Sequence, residues 1–421
     1  MSETLDPLLC RRALEALRAG VPNRDVVRLL PPLHTRARTE FDALLRSTES
    51  SWATQKPVPG MLISGGFGSG KSHLLDYLRH AALESGFVCS RVTLSKETPL
   101  SDLAKVYRAA VASAVAPDRT GPALSEIADT LQTDRAPYYD QLYKWAHRDG
   151  DLDPRLPASL LLFERQASAD EDLREKILAE WTGYPMRIGD MKAALKAAGE
   201  MTTYAVGRPQ RGQELHHFEF VNRFFRAAGY NGWVILLDEV ELIARYGIRQ
   251  RGRSYAHLAT LLGAGKTGQI PGLAVVAAVT DDYAGEVLRR KGDRVKVPAK
   301  MMIAEDPLRE MAEAGMERIE SGTLPLNSPT KKQMGESYDR VREVYAAAYG
   351  WTPPDITDAL EYAGSTRMRQ YVRAWVTIWD LRRLYDQEGE LITEDVTISY
   401  EEDADVEKTA TEETAEDIFA E

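Results

Sequence analysis

The segment Gly65-Gly66-Phe67-Gly68-Ser69-Gly70-Lys71-Ser72 has the residue types and spacing of a phosphate cradle, G-x-x-x-x-G-K-[ST]. Glycines let successive N–H groups turn inward and form an anion nest. A helix that starts near Lys71 adds the positive end of its dipole. Lys71 is then a point charge for the β- and γ-phosphates of ATP, and the Ser72 hydroxyl is a ligand for Mg²⁺. Gly65, Gly66, Gly68, Ser69, Gly70, Lys71 and Ser72 are therefore expected to hold nucleotide. The competing explanation is a glycine-rich turn with no ligand. The apolar "MLIS" before the turn and the helix-forming "KSHLL" after it weigh against that alternative.

Phosphate transfer also needs a carboxylate for the metal and a base for water. "WVILLDEVELI" offers Asp238 and Glu239 where an apolar strand emerges. Asp238 is expected to hold Mg²⁺ and Glu239 to deprotonate the attacking water. An acidic turn at a strand end is the bland alternative, and the upstream loop makes it the weaker one. "VVAAVTDDY" places Thr280 at the end of a further strand, where a hydroxyl either meets the γ-phosphate or simply terminates the strand. Asp281 and Asp282 are expected as helix caps. Any of Arg289, Arg290, Arg294 and Arg318 fits an arginine finger for a neighbouring subunit, and the sequence does not choose among them. The arginines of "RYGIRQRGRSYAH" are a basic patch or, more commonly, a solvated helix face. His73 reads as structural, and His216-His217 lacks ligand partners at metal spacing.

These residues have to be positioned by a sheet. Short apolar runs at 61–64, 86–95, 232–238 and 272–282, with a weaker one at 322–327, are expected as strands. Residues 101–226 carry no strand signal and read as helical. Strands separated by helices indicate an α/β fold with a parallel sheet flanked by helices. The expected division is a helical segment over 1–50 and a P-loop core over 51–327 with a helical insertion at about 100–228. A C-terminal helical lid follows over 328–390, then an acidic, disordered tail over 391–421.

The bulk composition, 43% hydrophobic and 28% charged, is that of a chain with a buried core. No apolar run is long enough for a membrane span, and the N-terminus lacks a signal peptide's apolar centre. Cys10 and Cys89 are far apart, which argues against disulfides and for a reducing, cytoplasmic setting. The net charge is -11, but twelve acidic residues and one lysine lie between Glu394 and Glu421. The rest of the chain is balanced at 52 residues of each sign, so nucleic-acid binding is neither indicated nor excluded.

"LISGGFGSGKSHLL", "GYNGWVILLDEVELI", "GLAVVAAVTDDY" and "GSTRMRQYV" resemble the Walker A, Walker B, sensor 1 and sensor 2 regions of an AAA+-type P-loop ATPase. With the opening "ALEALRAGVPNRDVVRLL", the closer resemblance is to the ATP-binding proteins of BREX phage-defence systems (BrxD-like), which have an origin-recognition-like core. It covers most of residues 10–385. The resemblance implies a Mg²⁺-dependent ATPase acting as a homo-oligomer beside other defence-system proteins and on DNA. It implies Lys71 and Ser72 on phosphate and metal, Asp238 on metal and Glu239 as base. Thr280 becomes the first sensor and Arg367, rather than Arg369, the second. Thr280 stands where asparagine is frequent, and no winged-helix segment follows residue 387. Two other functions share the core: an ATP-gated switch or scaffold with little turnover, and a target-selecting ATPase of a transposition system.

Overall fold

The computed structural model describes residues 5–19, 24–30, 34–56, 58–66, 69–117, 119–131, 136–149, 152–165, 170–200, 204–209, 212–265, 270–327, 329–356, 368–387, 400 and 402. Each apolar run becomes a strand: β1 Met61–Ser64, β2 Val88–Thr93, β3 Trp233–Asp238, β4 Leu273–Val279 and β5 Thr323–Pro325. They form one sheet in the order β2-β3-β4-β1-β5, and every pairing is parallel. Alternate residues feed two separate cores. Leu62, Val92, Ile235, Leu237, Val275 and Ala277 point to one, and Ile63, Cys89, Val234, Leu236, Val276 and Ala278 to the other. Both faces are covered, which is why the strands read as continuous apolar runs rather than as alternation.

The second of these faces is covered by α3 (Thr35–Thr54) and α4 (Lys71–Glu84), through Phe41, Leu45, Leu74 and Leu78. The first face carries α12 (Ile248–Leu261), α13 (Asp293–Ile303), α14 (Arg309–Ser321) and the interval between β2 and β3. As its sequence indicated, that interval is helical: α5 Leu103–Ala112, α6 Ala123–Thr130, α7 Tyr139–Lys144, α8 Arg155–Arg165, α9 Glu171–Trp181, α10 Ile188–Ala197 and α11 Glu214–Ala227. Phe220 and Phe224 of α11 meet Trp181 at ring separations of 5.3 and 5.0 Å. Under them, Arg155 donates to both oxygens of Glu180, at 2.8 and 2.5 Å, with both side chains almost wholly buried.

A third cluster joins the first helices to those that follow β5. Cys10 and Leu14 of α1 (Pro7–Ala19) and Val26 of α2 (Arg24–Leu29) pack on Tyr345 of α15 (Lys331–Tyr349) and on Trp375 and Trp379 of α16 (Met368–Tyr385). Arg18 donates to the two oxygens of Asp380 at 2.7 and 2.8 Å. Both cysteines are buried and free. Among the described residues no helix is long and apolar enough to cross a membrane.

Candidate functional site

Strand order decides which loops become neighbours. β4 lies between β1 and β3, with Ser64 opposite Val279 and Leu237 opposite Ala277. The loop after β1, Thr280 after β4 and the acidic pair at the end of β3 therefore open on the same edge, at the point where chain order reverses. In a parallel sheet that crevice is where ligands bind. The Gly65 N–H donates to the Val279 carbonyl at 3.1 Å, tying the loop to β4.

Gly70 immediately precedes α4 with φ +98°, a conformation that a β-carbon disfavours. At Gly65 a β-carbon would lie 2.5 Å from Ser69 Oγ, so a larger residue there would displace the Ser69 side chain. Ser69 Oγ is itself buried, with no hydrogen-bond partner among the described residues. An orphaned buried hydroxyl in a loop of this type is consistent with a ligand-facing cradle. Lys71, 8% exposed, folds back and donates to the Gly65 carbonyl at 2.7 Å. Phe67 and Gly68 lie outside the described residues.

Ser72 and Asp238 meet as expected: Ser72 Oγ donates to Asp238 Oδ2 at 3.2 Å. That bond commits the serine proton and leaves an oxygen lone pair free for a cation. Glu239 is exposed and has φ +62°, and its N–H donates to Asp238 Oδ1 at 3.1 Å. Thr280 is buried, and its hydroxyl lies 2.7 Å from that of Tyr400. Tyr400 donates to Asp282 Oδ1 at 2.6 Å, so the proton between the two hydroxyls belongs to Thr280. Asp282 thus receives a tyrosine. The following π turn, Ala284–Arg290, has Tyr283 at its cap position with no side-chain cap bond, so the expected aspartate caps are not formed. Arg367 lies outside the described residues, as does the side chain of Arg369.

The family model for the BREX system ATP-binding protein BrxC/D matches residues 10–134 and 162–374. The chain belongs to that family. The matched spans contain the glycine-rich loop, Asp238, Glu239 and Thr280. This places the chain among phage-defence ATP-binding proteins. No curated protein and no solved structure matches it.

The BrxC/D chain brings residues to its site that sequence patterns had not marked. Arg91 of β2 donates to Asp238 Oδ2 at 2.8 Å and to Asp76 Oδ1 of α4 at 2.5 Å. A charge within the apolar strand "VCSRVT" was its signal. Glu241, in the 3-10 turn Val240–Arg245, lies 3.9 Å from Lys71 Nζ, with Oε2 buried and without a hydrogen-bond partner among the described residues. Burial pushes its carboxyl up to about 7, against the pull of Lys71. His34 Nε2 lies 3.2 Å from the Ser69 carbonyl, and burial holds its pKa below the usual histidine value. His73 Nε2 lies 2.8 Å from the Leu30 carbonyl, which suits a structural role.

The basic stretch divides. Arg249 and Arg253 are exposed, as a solvated face requires. Arg251 is buried, and it pairs with Asp293 at 2.9 Å and with Glu402 at 2.5 Å. Lys291 donates to the Tyr400 carbonyl at 2.9 Å. Of the acidic tail, the described Tyr400 thus lies beside Thr280 and Glu402 beside Arg251. Among the described residues no group of three or more His, Cys, Asp or Glu forms a metal cluster. A Mg²⁺ held by one hydroxyl and one carboxylate, and otherwise by phosphate and water, needs none.

Proposed function

We propose that this chain is a BrxD-like, AAA+-type P-loop ATPase of a BREX-like phage-defence system. It would act in the cytoplasm as a homo-oligomeric remodeller or loader, with other defence-system proteins and with DNA. The domain organisation we propose has a core over 51–327, a lid over 328–390 and the tail beyond. The observation that carries the reading is the 3.2 Å bond between Ser72 and Asp238, which joins the end of the phosphate loop to the acidic strand end.

In this proposal Gly65, Gly66, Gly68, Ser69 and Gly70 surround the phosphates with N–H groups. Lys71 leaves the Gly65 carbonyl for the β- and γ-phosphates of ATP. Ser72 and Asp238 would hold Mg²⁺, and their hard oxygens fit that ion. When bound, the ion neutralises phosphate charge. Glu239 accepts the proton of the attacking water, which adds to the γ-phosphorus as the bond to the ADP oxygen breaks. Thr280 orients the γ-phosphate or the water, and Arg367 is assigned the second-sensor role.

One observation favours a second reading, an ATP-gated switch with little turnover. The Thr280 proton is committed to Tyr400, and the sensor hydroxyl cannot donate to phosphate until that contact opens. Nucleotide binding and turnover of two variants test both. Lys71→Ala is expected to lose nucleotide binding, and Glu239→Gln to retain ATP without cleaving it. Wild-type turnover by Glu239→Gln refutes the base assignment. Absence of turnover by the wild type alone, with DNA and with partner proteins favours the switch.

A further inference from the structure

Asp238 Oδ2 accepts two donors: Ser72 Oγ at 3.2 Å and Arg91 Nη2 at 2.8 Å. The other arm of the same guanidinium, Nη1, holds Asp76 Oδ1 at 2.5 Å. Asp238 Oδ1 is taken by the Glu239 N–H at 3.1 Å. Both oxygens of the carboxylate proposed for the metal are therefore engaged, and one of the donors is a full positive charge. Asp76 lies one helical turn after Ser72 on α4, so the guanidinium sits between two carboxylates that would otherwise repel each other.

We propose that Arg91 is a positioning residue that acts as the resident counter-cation of the metal site and competes with Mg²⁺ for Asp238. Without the ion, Arg91 neutralises Asp76 and Asp238 and holds both in place. With it, a second cation has to share Asp238, and the like-charge repulsion weakens metal binding until nucleotide phosphates add their negative charge. The site then favours Mg²⁺ together with nucleotide over Mg²⁺ alone. The guanidinium has room to yield: Arg91 and Arg79 line an open groove of about 580 Å³ with Thr93 and Thr120. Among the described residues Arg91 Nε is buried without a hydrogen-bond partner, so no further hydrogen bond anchors the guanidinium along that edge.

This inference rests on the proposed ATP site, and the test separates the two. The probe is a fluorescent N-methylanthraniloyl-ATP titrated into the full chain, first without metal and then against rising Mg²⁺. Arg91→Gln is expected to lower the Mg²⁺ midpoint about tenfold, as loss of one neighbouring like charge does. Asp76→Asn leaves the guanidinium to Asp238 alone and is expected to raise the midpoint, while Arg91→Lys stays near wild type. Without nucleotide, Mg²⁺ is expected to raise the melting temperature of Arg91→Gln but not that of the wild type. Damage to packing alone would not move the two midpoints in opposite directions. If the wild type binds no nucleotide, the ATP-site reading fails. If it binds and the midpoints of Arg91→Gln and Asp76→Asn stay together or move the same way, the competition proposal is overturned.

Discussion

Glu241 gives the sharpest quantitative consequence of the site. Its carboxyl lies 3.9 Å from Lys71 Nζ, 8% exposed, with Oε2 lacking a hydrogen-bond partner among the described residues. Burial raises its pKa from 4.5 to about 7, with Lys71 opposing. The native state therefore binds this proton more tightly than the unfolded chain. As pH rises from about 4.5 to about 7 the unfolded chain gives up the proton first, so native stability falls across that window. The gap is worth about 3 kcal/mol once the window has been crossed. Glu241→Gln removes the charge and keeps the shape. Its stability relative to wild type is expected to be near zero at pH 4.5 and to rise towards about 3 kcal/mol at pH 8. Lys71 keeps its 2.7 Å bond to the Gly65 carbonyl in the variant, which limits the offsetting loss. Urea unfolding followed by tryptophan fluorescence at the two pH values measures the difference. A gain that is the same at both pH values, or a loss at pH 8, refutes the assignment of a buried, proton-binding carboxylate beside Lys71.

Other consequences are independent of Glu241. Glu180→Ala leaves Arg155 buried without its carboxylate and is expected to cost about 3–5 kcal/mol, read by urea unfolding. Tyr400→Phe releases the Thr280 proton and is expected to speed ATP turnover with a stability loss of only about 1 kcal/mol; steady-state phosphate release and thermal unfolding measure the two effects. Unchanged turnover would mean that the tail contact does not restrain Thr280.

The strands were legible because each is written in consecutive residues, and the loop proposed to hold phosphate is written in the same way. A buried parallel strand needs an unbroken apolar run, and an anion nest needs glycines at fixed spacing, so "MLIS" and "GGFGSGKS" carry their meaning locally. The Ser72–Asp238 meeting was also inferable, from the complementarity of a hydroxyl after the loop and a carboxylate at a strand end. Other parts of the site were not written in that way. Arg91 reaches Asp238 because β2 pairs with β3 and sets Thr93 opposite Asp238, a register that no spacing along the chain encodes. Glu241 faces Lys71 because the chain turns tightly after Asp238, with Glu239 at φ +62°. Tyr400 meets Thr280 across 120 residues. The sequence by itself determined the strand and helix pattern and the chemistry proposed for the loop, because those depend on local geometry and burial. Only the tertiary structure decided which charges share Asp238 and which hydroxyl holds Thr280, because those depend on strand order and on how distant segments pack.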